Sequence, residues 1–403
     1  MAGCRAGENR LMTRQRGGPI VGAAGLGDDA MIRIGSLNAG GSVRRSLNID
    51  FRLCAAEALI KIDASIETLA GLIRKAGAAG CDIAILPEDC LCTTGWTAAS
   101  PSQAGEVLGP AVERLLAHLG ETAAAHNMYV ICCNDRMDDE GSIRNTAFFL
   151  GRDGRQIGHY DKVCFPVQEF LKVPGDSFPV FETPDLGTVG MLICYDMVFP
   201  ETARCLALEG ADIIFNPTVG GAAFGGAEIS RAAFRTRAVE NFTYIVVSWG
   251  GWGTDVGSVI ISPKGEILAE SLEPGGMAMV DIDPFGGRDN ADWSNAQTDM
   301  RARLFRERRP ETFAQLTQTT PKALEKLPEI QPFPPREIAA MVRRATTMGH
   351  VEYERAEQLL RDGETGQAVA AFEKLIEDYP STWFDRTARK RLAELQDPEE
   401  DRR

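Results

Sequence analysis

The amino-acid sequence predicts an α/β domain followed by a small all-α extension. From residue 31 to about residue 283, short strand-like apolar runs alternate with segments of helical periodicity, which is the pattern of an α/β domain. Several neighbouring strand candidates are joined by connections of hairpin length, so we expect mixed sheets. A short helical segment lies beyond residue 336. At 403 residues, the chain is long enough for one large domain or two unequal ones.

Apolar spacing supports the individual elements of the α/β domain. One helix is predicted from apolar residues spaced alternately by four and three, which line a single helix face: Ile62, Ile66, Leu69, Ile73 and Ala76. Further helices are predicted around residues 106–126, 200–209 and 226–241. The strand candidates, in chain order, are "MIRIGSL", "DIAILPED", "MYVICCN", "TAFFLG", "VGMLIC", "ADIIFNP", "YIVVSW", "GSVIIS" and "MAMVDID".

A linker and a helical segment follow. Residues 319–336, "TTPKALEKLPEIQPFPPR", hold five prolines without clean periodicity, which is typical of a linker. Residues 337–397 are helical in pattern, and residues 398–403 form a charged tail. Six residues occupy positions that a tetratricopeptide repeat gives to its small residues, turn glycine, aromatic residue and closing proline: Ala356, Gly363, Ala368, Phe372, Leu375 and Pro380. An ordinary amphipathic hairpin is the alternative. Since one repeat cannot bury its own face, we expect it to pack on flanking helices, the main domain or a partner.

Charge and cysteine usage exclude several classes of protein. A net charge of −14 and a pI near 5.0 argue against a nucleic-acid binder, because no basic stripe is available to neutralise phosphates. Ten cysteines at irregular spacings in a long chain are typical of a reducing compartment. Cys90 and Cys92 lack a second ligand pair with zinc spacing, so we expect no metal site.

The N-terminal segment and the hydropathy of the chain predict a cytoplasmic protein. Residues 1–30 are rich in Gly, Arg and Asp and lack the continuous apolar region of a signal peptide. Because Met31 begins the first strand-like run, the two alternatives for this segment are a disordered leader and an overlong start. Nowhere is there an uncharged apolar run of about 18 residues, the length that a membrane span requires.

Three chain-distant segments each supply a candidate reactive group at or near a strand end. Glu88 follows the strand in "AILPEDC", and Cys194 closes "VGMLIC". Lys162 and Glu169 lie in the loop-like stretch "HYDKVCFPVQEF". Ligands of α/β proteins bind at the carboxyl ends of strands. The chain has only four histidines, and nothing supports His159 as a base, so a carboxylate and a lysine are the expected activators of a cysteine nucleophile.

The flanks of these residues resemble the signature segments of the carbon-nitrogen hydrolase, or nitrilase, superfamily. "LPE" contains Glu88, "YDK" contains Lys162, and "CYDMVFPE" begins at Cys194. "FNP", "RTRAVEN" and "RERRPETF" are further matches. The resemblance covers residues 31–316, and we assign the domain to residues 31–318. It implies a four-layer α-β-β-α sandwich that pairs with a second copy across the helical layer beside the nucleophile.

The resemblance also implies a role for each candidate. Cys194 would be the nucleophile, Glu88 the general base, Lys162 the cation that holds the developing oxyanion, and Glu169 a second glutamate that positions Lys162 and the substrate. A backbone N–H of Tyr195 would complete the oxyanion hole. Substrate binding is also assigned to Asn216. No cofactor is expected. The expected binding partner is a small-molecule substrate, and we expect binding to neither nucleic acid nor a membrane.

Sequence details narrow the expected substrate. Tyr195 and Asp196 after the nucleophile resemble the amidase and carbamoyl-hydrolysing branches, whereas true nitrilases usually have Cys-Trp-Glu. The resemblance therefore implies cleavage of a linear amide or N-carbamoyl compound. The sequence departs from the family at Cys164, where many relatives have histidine, and at the glycine-rich residues 216–228. Asp161 and Glu182 are lesser candidates.

Two other functions remain open from the sequence. The C-terminal helices could recruit a protein partner, with the catalytic domain as a scaffold, although a scaffold has no reason to keep Glu, Lys and Cys in three separate segments. Acyl transfer to an amine instead of to water would use the same residues. A homodimer or higher homo-oligomer is expected in each case.

Overall fold

Two six-stranded sheets form the centre of the computed structural model, which describes residues 31–166, 169, 171–220, 226–252, 256–288, 299–327, 349–378 and 383–396. In chain order the strands are β1 (Ile32–Leu37), β2 (Ile83–Ile85), β3 (Tyr129–Met137), β4 (Ile143–Leu150), β5 (Gln156–Asp161), β6 (Val180–Glu182), β7 (Thr188–Met191), β8 (Ile213–Thr218), β9 (Tyr244–Trp249), β10 (Ser258–Ile261), β11 (Ile267–Ser271) and β12 (Met277–Ile282).

Both sheets have the same pattern of parallel and antiparallel neighbours. The first has the order β12-β1-β2-β3-β4-β5, and the second has the order β11-β10-β9-β8-β7-β6. In each, three sequential strands run parallel, namely β1 to β3 and β7 to β9, and the remaining neighbours are antiparallel. The prediction of mixed sheets is therefore confirmed.

Helices cover the outer face of each sheet. The helices of the α/β region are α1 (Gly41–Leu47), α2 (Ala55–Ala78), α3 (Thr93–Ala99), α4 (Ala104–His126), α5 (Pro200–Leu208), α6 (Ala227–Asn241) and α7 (Met300–Glu307). α2 and α4 share an apolar core with outward-facing residues of the first sheet such as Ala84, whereas Ile83 and Ile85 face the core between the sheets. α5 and α6 pack on the second sheet. The predicted four-layer α-β-β-α order is confirmed.

The apolar stripe predicted for the first long helix explains why α2 forms and where it packs. Ile62, Ile66, Leu69 and Ile73 are at most 3% exposed and line the face toward the first sheet. The helix begins where Glu57 Oε2 accepts a hydrogen bond from the Cys54 backbone N–H at 3.0 Å.

Side-chain hydrogen bonds join the two sheets near the carboxyl ends of β1 and β9. Ser248 Oγ donates to Leu37 O at 2.7 Å, and Ser36 Oγ donates to Val247 O at 2.6 Å. Gly250 lies so close to the loop after β2 that a Cβ added to it would be 2.7 Å from Pro87 Cβ. Only glycine allows this approach, which brings loops of both sheets side by side.

Edge elements account for most differences from the predicted strands. β5, β6 and β11 were not among the strand candidates, because they are short or largely exposed and lack a clear apolar pattern. The strand expected at "VGMLIC" ends at Met191, and Cys194 begins a 3₁₀ turn, Cys194–Val198.

Three helices form the described C-terminal segment: α8 (Gly349–Arg361), α9 (Thr365–Asp378) and α10 (Trp383–Gln396). They share a small core that contains Ala356, Ala368, Phe372 and Leu375. Gly363, in the turn between α8 and α9, has φ +78°. A tetratricopeptide-like identity stays a prediction. Among the described helices, none is long and apolar enough to cross a lipid bilayer.

Several predicted segments lie partly or wholly outside the described residues. They are the leader 1–30, the tail 398–403, Pro380, and residues 328–336 of the expected linker. The described part of that linker contains a 3₁₀ turn, Lys322–Lys326.

Candidate active site

Three predicted site residues meet at the carboxyl edge of the first sheet. Glu88 follows β2, and Lys162 follows β5. Lys162 Nζ donates a hydrogen bond to Glu88 Oε1 at 2.9 Å and another to Glu169 Oε1. Glu88, Lys162 and Glu169 are 3%, 0% and 9% exposed, so bulk water does not screen this ion-pair cluster.

Cys194 comes from the second sheet, three residues beyond β7. Its φ of +45° lies in the left-handed region, which is uncommon for a residue with a Cβ and costs about 1–2 kcal/mol. Its side chain is only partly buried, and the thiol donates a weak hydrogen bond to Gly220 O at 3.7 Å. Backbone strain held by surrounding structure is a common property of functional sites.

Asp196 stabilises the turn that carries Cys194. Its carboxylate accepts hydrogen bonds from the Ile193 N–H at 2.9 Å, the Tyr160 hydroxyl at 2.8 Å and the Cys164 N–H at 2.7 Å. Asp196 is fully buried. One carboxylate therefore links the residue before Cys194 with β5 and with the segment after Lys162.

The residues after β8 connect Glu88 with Cys194. The Val219 N–H donates to Glu88 Oε2 at 3.1 Å, and the next residue, Gly220, accepts from the Cys194 thiol. A Cβ on Gly220 would lie 3.5 Å from Cys194 Sγ. Two consecutive residues thus contact the Glu88 carboxylate and the Cys194 thiol, so both groups lie beside the same short segment.

Burial and charge set the protonation state of the cluster. Burial and the nearby charge of Glu88 together raise the pKa of the Cys194 thiol to about 12, although Lys162 and the Thr218 hydroxyl oppose the rise. Burial opposes the charge of Lys162, but Glu88 and Glu169 outweigh burial and hold the pKa of Lys162 well above its usual range. At neutral pH, the thiol and the ammonium both keep their protons.

Asn145 is a site residue that the sequence analysis missed. Its Nδ2 donates to Glu88 Oε1 at 2.8 Å and to Glu169 Oε2 at 3.0 Å, and its Oδ1 accepts from Cys133 Sγ at 3.4 Å. The signal was a polar residue at the start of the apolar run "NTAFFL", where a buried amide requires partners.

Lys172 and Asp135 are a second buried pair that the sequence analysis missed. Lys172 Nζ lies 2.8 Å from Asp135 Oδ1 and 3.0 Å from Glu169 Oε2. Burial raises the pKa of Asp135 to about 6, and the adjacent carboxylates raise that of Lys172. Nothing in the local sequence around Lys172 distinguishes it from an exposed loop lysine.

The remaining predicted residues have defined surroundings. Asn216 is fully buried, and its Nδ2 donates to Leu192 O at 3.2 Å. The Tyr195 ring packs edge-on against Phe199, with centroids 5.5 Å apart. Asp161 accepts from Thr146 and pairs with Arg136, and Glu182 is exposed on β6. The functional roles of these four residues stay predictions.

Comparison with known proteins identifies the family. The carbon-nitrogen hydrolase family model matches residues 54–287. The omega-amidase from Bos taurus is 32% identical over 233 residues, which are 53% of this chain and 80% of that protein. A nitrilase from Pyrococcus abyssi is 32% identical over 238 residues, which are 56% of this chain and 86% of that protein.

Solved structures share the fold. A carbon-nitrogen hydrolase from Helicobacter pylori aligns with a TM-score of 0.57 at 21% identity, over 72% of this chain and 99% of that one. An amidase from Nesterenkonia sp. aligns with a TM-score of 0.51 at 20% identity, over 70% and 99%. The matched model covers more than half of the chain and contains Glu88, Lys162 and Cys194. The chain therefore belongs to the carbon-nitrogen hydrolase family and is a carbon-nitrogen hydrolase.

Proposed function

We propose that this enzyme hydrolyses a small linear amide or N-carbamoyl compound through a thioester on Cys194. The observation that carries the proposal is the buried contact of Lys162 with Glu88 at 2.9 Å, beside the Val219–Gly220 segment that contacts the Cys194 thiol. A base, a cation and a nucleophile from separate segments are the parts that acyl transfer needs.

The first half of the reaction forms the thioester. Glu88 accepts the proton of the Cys194 thiol as sulfur attacks the carbonyl carbon, and the carbonyl oxygen becomes an oxyanion. The Lys162 ammonium and the Tyr195 N–H stabilise that oxyanion; one such donor is typically worth roughly 10² to 10³ in rate. The carbon–nitrogen bond then breaks, and the nitrogen leaves as ammonia or an amine with the proton from Glu88.

The second half returns the enzyme to its starting state. Glu88 takes a proton from water, and the resulting hydroxide adds to the thioester carbonyl. Collapse of this intermediate breaks the carbon–sulfur bond, releases the acid and returns the proton to Cys194. Because the resting thiol is protonated, the attack by Cys194 depends on Glu88 as proton acceptor, and the later attack by water uses the same carboxylate.

Amides are favoured over nitriles as substrates. Tyr195 and Asp196 resemble the amidase branches at this position, and the omega-amidase relatives and the amidase structure bear names of amide hydrolases. A lysine ammonium suits the oxygen anion formed from an amide or carbamoyl group. These observations support an amide or N-carbamoyl substrate class.

Ammonia release from a panel of small amides and ureido acids tests the proposal. We expect turnover by the wild type and loss of at least about 10³-fold in Cys194→Ala, since removal of the nucleophile abolishes the covalent route. Cys205→Ala is the matched control, because Cys205 is an exposed thiol on α5 outside the site.

Mass spectrometry of the enzyme mixed rapidly with a turned-over substrate should detect an acyl adduct on Cys194. The proposal would be contradicted if the wild type released ammonia from no compound of the panel and neither the wild type nor Cys194→Ser formed an adduct. Added hydroxylamine distinguishes the acceptor: hydroxamate as the main product at low hydroxylamine concentration would indicate acyl transfer to an amine.

A further inference from the structure

A buried lysine outside the proposed catalytic steps contacts the carboxylate that holds Lys162. Lys172 Nζ lies 3.0 Å from Glu169 Oε2, while Glu169 Oε1 accepts from Lys162. The two oxygens of Glu169 are therefore divided between two ammonium groups. Lys172 and Glu169 have side chains that are only 6% and 10% exposed.

Asp135 and Thr94 hold Lys172 on its other side. Asp135 Oδ1 lies 2.8 Å from Lys172 Nζ, and Asp135 Oδ2 accepts from Thr94 Oγ1 at 2.9 Å. Asp135 is on β3, directly opposite Asn145 on β4 in the register of the antiparallel pair. A chain of polar contacts thus runs from β3 through Lys172 and Glu169 to Lys162.

From this geometry we infer that Lys172, with Asp135 as its counter-ion, is a positioning residue that keeps Glu169 ionised and aims it at Lys162. The inference rests on the proposed function for its effect on turnover. Its effect on Glu169 is independent of any substrate.

The charges around Glu169 explain why a second cation is needed. The carboxylates of Glu88, Glu169 and Asp135 share the ammonium groups of Lys162 and Lys172. Without Lys172, three buried carboxylates would face one ammonium, and at least one carboxylate would take up a proton.

Other groups do not replace Lys172. The Arg44 guanidinium pairs with Asp89, and that carboxylate acts on Asp135 as a further negative charge. Asn145 donates a hydrogen bond to Glu169 but is neutral, and the Cys194 thiol is protonated. Lys172 and Lys162 together hold the pKa of Glu169 at about 2, against the effect of burial.

A carboxyl ¹³C NMR titration of Glu169 in the full-length Cys194→Ala protein tests the inference without a substrate. Glu169→Gln assigns the resonance. We expect Glu169 to stay ionised down to about pH 3, and its midpoint to rise by roughly 1–3 pH units in Lys172→Met, because an opposite charge within hydrogen-bond distance has been removed. Lys172→Arg retains a cation and should keep the midpoint low. An unchanged midpoint in Lys172→Met would overturn the inference.

Turnover supplies the second readout, in proteins with wild-type Cys194. Lys172→Met should lower kcat by about 10- to 100-fold, the scale expected when a reacting group is misplaced by about 1 Å, with little change in KM. Lys172→Arg should recover most of kcat. A rise in KM with unchanged kcat, or an equal loss of kcat in Lys172→Met and Lys172→Arg, would contradict a positioning role.

A double variant covers the case in which Lys172→Met does not fold. Asp135→Asn with Lys172→Met removes one negative and one positive charge, so it leaves the net charge of the buried cluster unchanged. The Glu169 midpoint should still rise, by less than in the single variant. If the wild type releases no ammonia from any amide, the proposed function fails, whereas the NMR midpoint still decides the inference about Lys172.

Discussion

The Cys194 thiol is protonated in the resting enzyme, and this affects how it reacts. Burial and the nearby charge of Glu88 raise its pKa to about 12, although Lys162 favours the thiolate. Many reactive cysteines instead have a lowered pKa. In the proposed mechanism, sulfur becomes nucleophilic only as its proton moves to Glu88, so an alkylating reagent that needs a free thiolate should react slowly.

Iodoacetamide labelling of the native enzyme checks the state of the thiol. Below a pKa of about 12, the thiolate fraction grows about tenfold per pH unit, so the labelling rate of Cys194 should climb without a plateau from pH 7 to pH 10. Peptide mass spectrometry measures the rate at this residue. The same peptide in unfolded protein, with an ordinary pKa near ~8.5, should level off in that range. A plateau near pH 7 in the native enzyme would contradict the prediction.

Asn145 can be tested with a change that alters almost nothing but charge. Asn145→Asp puts a carboxyl between Glu88 and Glu169, where the native amide donates to both. Ionised, this group repels both neighbours; protonated, it donates one hydrogen bond.

We therefore expect kcat/KM of Asn145→Asp to fall by about 10- to 100-fold at pH 8, which corresponds to about 1–3 kcal/mol for a lost buried hydrogen bond. The loss should shrink as the pH falls toward 5, because the introduced carboxyl then takes up a proton. Profiles of kcat/KM between pH 5 and pH 9 give the comparison. A variant with an optimum unchanged from wild type would refute this account of Asn145.

The turn Cys194–Val198 is an element whose shape depends on one buried side chain. Asp196 accepts three hydrogen bonds, from two backbone N–H groups and one hydroxyl, and Cys194 within the same turn has φ +45°. These three hydrogen bonds to the Asp196 carboxylate hold the turn in its strained geometry.

Asp196→Asn should weaken this turn, because an amide nitrogen then faces a donor where a carboxylate oxygen accepted. We expect the free energy of unfolding to fall by about 1–3 kcal/mol, the usual cost of an unsatisfied buried group. Urea denaturation measures this change, and kcat should fall as well. Asp139→Asn, at an exposed position, is the matched control. Equal stability of the two variants would rule out this role of Asp196.

The central strands and the segments that carry Glu88 and Cys194 could be predicted from sequence, whereas the buried side chains Asn145 and Lys172 around them could not. β2 and β8 are buried apolar runs, and Glu88 and Cys194 stand in distinctive flanking sequences. Asn145 and Lys172 act through partners that depend on strand register, since Asp135 faces Asn145 only once β3 and β4 have paired. Local sequence does not encode such a long-range pairing.

The helical layer of α5 and α6 offers apolar surface for a second copy of the chain. Leu208 on α5 is 41% exposed, and Ile229 and Val239 on α6 are 55% and 44% exposed. These residues lie on the layer that the family resemblance assigns to pairing. A homodimer across this layer is the expected assembly.

Light scattering coupled to size-exclusion chromatography should give about twice the chain mass of 43.8 kDa. Val239→Lys should shift the protein toward the monomer, because a buried interface disfavours an unpaired charge. Ile60→Lys, at a position on α2 that is 71% exposed in the opposite layer, should leave the mass unchanged. A monomeric wild type would contradict pairing through α5 and α6.

The strand order also bears on how the chain is made. β1 lies between β2 and β12, and β12 pairs with β1 along its full length, although 239 residues separate the end of β1 from the start of β12, at Leu37 and Met277. During synthesis, the first sheet therefore keeps an unpaired apolar edge until β12 leaves the ribosome. A nascent chain that already contains Glu88, Lys162 and Cys194 should still need chaperone protection at that edge, and a ribosome stalled before residue 277 should display an aggregation-prone intermediate.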